Sequence, residues 1–153
     1  MAEESDRSSS SGRFEGALKD ASFLCKIVEL ILCAIALGLV VDPFNDRMQP
    51  DRNRAAIIYV SFCSYVLINA VAVISRLLGD RWPKKASIMF SGLGAILSFT
   101  AGLILIHDWN NFQGNMISRY LQRYLDQMVA SGVLGILATV AFVFDGYYVA
   151  KYK

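Results

Sequence analysis

The chain has 153 residues, 55% of them hydrophobic and 18% charged, with a mean hydropathy of +0.42 and a formal net charge of +2. So apolar a composition places it among membrane proteins and leaves little polar chain for a separate soluble domain. So small a net charge gives no support to a nucleic-acid-binding role.

Residues 1–20, MAEESDRSSSSGRFEGALKD, read as a disordered cytosolic tail, rich in Ser and poor in large apolar residues. The stretch has no apolar run of the kind a signal peptide needs. Ala2 follows the initiator Met where N-myristoylation requires Gly. The first apolar segment is therefore expected to act as its own insertion signal.

That segment, Ser22 to Val41, is free of Pro and apolar almost throughout. At about 1.5 Å per residue, a helix of this length just crosses the roughly 30 Å hydrocarbon core of a bilayer. It nevertheless carries Lys26 and Glu29, three residues apart on one helical face. A charge at the centre of a membrane helix costs on the order of 3 kcal/mol by insertion scales, so such a pair is expected to face protein rather than lipid.

Pro43 and Pro50, with Asp42, Asn45, Asp46 and Asp51, make the next dozen residues a turn-rich loop. The second span is expected over about 55–78, with Asn69 as its main polar interruption. A lone Asn in a bundle reads as an interhelical hydrogen-bonding group. GDRWPKK then links to the third span, with Gly79 ending one helix, Pro83 starting the next and Trp82 at the membrane interface. So short a link makes the two spans an antiparallel hairpin.

The third span is expected over about 86–106. Ser87, Ser91, Ala95, Ser98 and Gly102 recur at spacings of four, four, three and four, a small-residue stripe that admits another helix closely. Packing inside the monomer is the expected use, ahead of a homo-oligomer face. HDWNNFQGN reads as loop. Ile117, Tyr120, Leu121, Tyr124, Leu125 and Met128 then recur at helical spacing, with Arg119 and Arg123 between them. This predicts a short amphipathic helix before the fourth span, lying in the interface or running on into that span. The fourth span is expected over about 128–149, with Asp145 near its end, and residues 151–153 close the chain.

Orientation follows from the basic residues. With both termini on one side, that side collects ten of the fifteen Lys and Arg: Arg7, Arg13, Lys19, Lys26, Arg76, Arg81, Lys84, Lys85, Lys151 and Lys153. The other side holds Arg47, Arg52, Arg54, Arg119 and Arg123. The positive-inside rule then puts both termini in the cytosol. Arg119 and Arg123 fall on the outside, as candidates for an extracellular recognition surface.

The sequence offers no catalytic, cofactor or metal site. His107 is the one His, read as an interfacial polar residue, and no metal-binding His pair or Ser/His arrangement can be built on it. Cys25, Cys33 and Cys63 all lie in apolar segments, without a Cys-x-x-Cys, and no phosphate-cradling Gly loop occurs. Gly92 and Gly94 are read as helix-contact positions. The cluster that remains is Lys26, Glu29, Arg76 and Asp145. These residues fall at similar depth towards one end of a four-span bundle, as an intramembrane polar layer pinning the helices, with a proton or ion relay as the other reading.

KIVELILCAIALGLV, residues 26–40, resembles the first span of MARVEL-type four-helix proteins, the Lys-x-x-Glu in its apolar setting being the recognisable part. LSFTAGLILIHDWNNF and the acidic residue in FVFD are similar to the small insect septate-junction proteins of the Snakeskin and Pasiflora type. The resemblance implies an all-α four-span domain over 21–150 and a non-enzymatic role in junction assembly or membrane organisation. Its partners would be the lipid bilayer and other junctional or membrane proteins. A vesicle-trafficking adaptor and a small channel or transporter subunit are the alternatives.

Overall fold

A computed structural model of the chain describes residues 21–45, 51–80, 82–113 and 122–152, and everything described there is helix or short turn. The four helices are α1 (Ala21–Asn45), α2 (Arg52–Leu77), α3 (Lys84–Gln113) and α4 (Gln122–Tyr152). Each is long and apolar enough to cross a membrane. The end where α1 begins and α4 finishes is called proximal here, and the opposite end distal.

Each helix has two apolar faces, one buried in protein and one exposed. On α1 the buried line Glu29, Cys33, Ala36 and Val40 runs opposite Leu24, Val28, Ile31 and Ile35, which are all about half exposed. On α4 Met128, Gly135, Ala138, Phe142 and Val149 face inwards, while Val133, Leu137, Val140 and Phe144 face outwards. Outward rows this apolar are at home in lipid, where hydrophobic burial no longer drives helices together. Close packing and interhelical hydrogen bonds take over that task.

The helices form a closed ring in which α1 touches α2 and α4, and α3 touches α4 and α2. The α3–α4 contact is the most extensive, and the α2–α3 hairpin packs most loosely. Glycine explains the former. A Cβ on Gly102 would lie 2.9 Å from the Gly132 carbonyl oxygen, and one on Gly132 would lie 2.9 Å from Ile106 Cγ1. The two backbones approach as closely as they do because neither position has a side chain. The ring's centre is filled across the α2–α4 diagonal. Tyr65 of α2 meets Phe142 of α4 edge to face at 5.0 Å, and a Cβ on Gly94 of α3 would strike both rings at 2.8 Å. Ser131 of α4 donates to the Ala36 carbonyl of α1 at 2.8 Å.

The helices overrun the expected spans. α1 continues to Asn45 with Pro43 inside it, so the turn-rich reading fails for Asp42 to Asn45. Pro43 has no N–H for the Leu39 carbonyl, so one hydrogen bond of the helix is missing there. Asp51 caps α2 by accepting from the Asn53 N–H at 2.9 Å. Gly79 adopts φ +96°, a left-handed conformation that glycine enters without strain, and this turn starts the link to α3. His107 to Gln113, read as loop, is the last part of α3. Residues 122–127 are the opening turns of α4, continuous with the fourth span. The remainder of the predicted amphipathic helix lies outside the described residues.

Candidate functional site

The site is assembled at the proximal end from residues of three helices. Helical spacing on α1 stacks Ser22, Lys26 and Glu29 on one side. Lys26 Nζ lies 2.9 Å from Glu29 Oε2 and 2.9 Å from Asp145 Oδ2 of α4, so one ammonium holds both carboxylates. It also donates to Ser91 Oγ of α3 at 3.2 Å. Asp145 is further held by two hydroxyls, Ser22 at 2.7 Å to Oδ1 and Ser91 at 2.7 Å to Oδ2. Phe142, one turn before Asp145, presents its ring face 5.5 Å from the same ammonium.

The layer is deeply enclosed: the Lys26 side chain is 14% exposed, and those of Glu29 and Asp145 are 0% exposed. Its members do not share their support equally. Asp145 accepts from an ammonium and two hydroxyls, whereas Glu29 Oε2 takes the Lys26 ammonium and Glu29 Oε1 is buried with no hydrogen-bond partner. Asn69 of α2 is likewise fully buried, and neither of its amide atoms completes a hydrogen bond of normal geometry. The sequence reading has the lone Asn bonding between helices, and its amide does approach Glu29 of α1, though outside ideal geometry. Among the described residues, Asn69, Glu29 Oε1, Ser98 Oγ, Trp109 Nε1 and Gln127 Oε1 are the buried polar groups without a well-formed bond.

Arg76, grouped with these charges from sequence, lies next to the layer. It lines a cavity of about 230 Å³ that adjoins the layer, on a wall shared with Lys26. The small-residue stripe divides too. Ser91, Ser98 and Gly102 are buried, while Ser87 and Ala95 are only partly so. Gly94 and Ala101 take the interior positions in their place. Gly92, read as a helix contact, has nothing within 4 Å of where a Cβ would stand. Arg123 is exposed near the start of α4, and Arg119 lies outside the described residues.

A second charged group, absent from the sequence reading, closes the distal end. Asp108 of α3 is 4% exposed and forms an ion pair with Arg54 Nη1 of α2. Arg54 also reaches Asp51 at 3.6 Å, and His107 Nδ1 approaches Asp108 at 3.5 Å. Asp108 was hidden in a stretch read as loop. The signal was nevertheless present: Gly94, Ser98, Ala101, Leu105 and Asp108 recur at spacings of four, three, four and three, one unbroken buried face.

Among the described residues, no group of three His, Cys, Asp or Glu side chains could hold a metal ion. All three cysteines are free thiols. What the proximal arrangement does chemically is bind helices to one another, with charge-assisted hydrogen bonds spanning α1, α3 and α4.

The family model of the MARVEL membrane-associating domain matches residues 17–148. Searches of curated proteins and of solved structures returned no match. The match takes in all four apolar helices up to Tyr148, and the fold beneath it is all-α and multi-pass. The chain therefore belongs to the MARVEL family of membrane-associating, four-span proteins.

Proposed function

We propose that the protein is a non-enzymatic structural component of membrane domains at cell junctions in the plasma membrane, with both termini in the cytosol. The observation that carries this reading is the way the polar layer is used. Its ammonium is taken up by two carboxylates and a hydroxyl of the same bundle, which suits a fixed pin between helices better than a relay that must exchange ions. A bundle with apolar outer rows on every helix suits a body that organises its surroundings in the bilayer. Membership of a membrane-associating family agrees with a role in the bilayer, and the junction is suggested by the sequence resemblance of LSFTAGLILIHDWNNF and FVFD alone.

Imaging of the endogenously tagged protein in an epithelium, combined with proximity labelling, tests the proposal. Enrichment at lateral cell contacts with junctional neighbours is the expected result. Steady residence on intracellular vesicles would replace it with a trafficking adaptor, and ion or solute flux in reconstituted vesicles would replace it with a channel subunit. The double variant Arg119→Glu/Arg123→Glu should lose junctional enrichment while still reaching the cell surface. Normal localisation of that variant would remove the recognition role assigned to these two arginines.

A further inference from the structure

We propose that the proximal cavity is a binding site for the phosphate group of an anionic ligand, supplied by a phospholipid of the adjoining leaflet. The cavity, of about 230 Å³, is lined by Lys26, Arg76 and Lys84, by the Ser22 and Ser87 hydroxyls, and by Trp82. Its three charged lining residues are all cationic, and Phe23, Ala72 and Val149 complete the wall. A single water needs only about 10–15 Å³ by the same measure, so the space far exceeds a bridging-water site.

The cations come from three different places: Lys26 from α1, Arg76 from the last turn of α2, and Lys84 from the first turn of α3. The turn carrying Gly79 folds α2 back towards α3 and brings Arg76 and Lys84 to one cavity. The loose packing of the α2–α3 hairpin leaves room between them, where the tighter α3–α4 pair would not.

The two carboxylates of the polar layer do not line the cavity, and Lys26 stands between the two regions. Arg76 and Lys84, with the Ser87 hydroxyl, bring a fork-shaped guanidinium, an ammonium and a hydroxyl to one wall, a set suited to a tetrahedral oxyanion, while Lys26 and Ser22, held by Glu29 and Asp145, form the inner wall behind them. Basic pockets between membrane helices take lipid headgroups by the same chemistry. Trp82, whose ring packs edge-on against Phe90 at 5.5 Å, puts an interfacial side chain on the cavity wall. That places the site at headgroup depth rather than in the hydrocarbon.

The test titrates the purified full-length protein, in neutral detergent, with a short-chain phosphatidylinositol phosphate, short-chain phosphatidylcholine, inositol phosphate and inorganic phosphate. The variants are Lys84→Gln, Arg76→Gln/Lys84→Gln and, as a control, Lys85→Gln, whose residue is exposed and does not line the cavity. Removing both cations should weaken binding of the anionic lipid by about ten-fold or more, Lys84→Gln alone by a few-fold, and Lys85→Gln hardly at all. Lys84→Gln keeps the test valid should the double variant fold poorly. Binding of the anionic lipid but not the soluble phosphates supports the lipid source. Equal binding of the soluble phosphates supports a phosphate site filled from the aqueous phase. No binding of any phosphate, or equal weakening by Lys84→Gln and Lys85→Gln, would overturn the proposal.

Discussion

Replacing Lys26 by Met keeps the length and the apolar stem of the side chain while deleting its charge, so it isolates what the ammonium contributes to the bundle. In the wild-type layer the ammonium serves two carboxylates whose side chains are 0% exposed. Removing one partner of a buried pair costs about 3–5 kcal/mol when the other is left uncompensated. The two acids differ in how far they are stranded. Asp145 retains the Ser22 and Ser91 hydroxyls, whereas Glu29 loses the donor to Oε2 and already has an unpaired Oε1. Most of the loss therefore belongs to Glu29. Lys26→Met should cost about 3 kcal/mol, the lower end of that range because the Lys26 side chain keeps some exposure. Adding Glu29→Gln should recover about 1–2 kcal/mol, since a neutral amide is cheaper to bury than a carboxylate. Adding Asp145→Asn should recover less. The assay is reversible unfolding in mixed micelles by titration with a denaturing detergent, run on the singles and both doubles, with surface yield in cells as a second readout. Strictly additive effects of Lys26→Met and Glu29→Gln would mean that the two residues do not interact, and the picture of a single ammonium organising the layer would fall.

Three further outcomes are expected. Gly102→Ala should destabilise the bundle by about 1–3 kcal/mol in the same assay, because its Cβ would meet the Gly132 backbone, while Gly92→Ala, facing open space, should be neutral. Equal effects would mean that the close α3–α4 approach is not required. Arg54→Gln should destabilise by about 1 kcal/mol, since Asp108 is buried and Arg54 is partly exposed, and the loss in Arg54→Gln/Asp108→Asn should be smaller than the two single losses added; strict additivity would show the pair is not coupled. Tags at the two ends should both be shielded from protease added to intact cells and both be cut after permeabilisation, and cleavage of either from outside would refute the cytosolic assignment.

The apolar helices were legible because each of them is a long unbroken run, and membrane-scale length is a signal that needs no partner. Lys26 with Glu29 was legible for a related reason: two charges in so apolar a setting have to be explained by something. The ends of the helices were not. Asp42 to Asn45 and His107 to Gln113 are rich in residues that favour turns when judged locally, yet tertiary packing of Phe44 on Tyr59 and of Trp109 and Phe112 on the core keeps them helical. Arg76 is grouped with the polar layer by depth, and it shares a cavity wall with Lys26; depth alone does not give the direction in which a side chain points. The same limit applies to the small residues: Gly94, read with Gly92 as a helix contact, does pack against Phe142 and Tyr65, while Gly92 meets open space and Ala95 of the stripe is only partly buried, because such stripes have several nearly equivalent readings until the neighbouring helix is known.

The joining of Ser22 on α1 to Asp145 on α4, 123 positions apart, bears on the order in which the protein can be made. The first span enters the bilayer long before the last has left the ribosome. In that interval Lys26 has Glu29 beside it on its own helix, and the local pair lets the segment wait in the membrane without a lone charge. Arrival of Asp145 then closes the ring from its last helix to its first. A chain that stops short of Asp145 would leave the ammonium half-occupied and the α1 face uncovered, the state that membrane quality control is equipped to remove. The same three charges that hold the finished bundle thus register whether the fourth helix has joined the first.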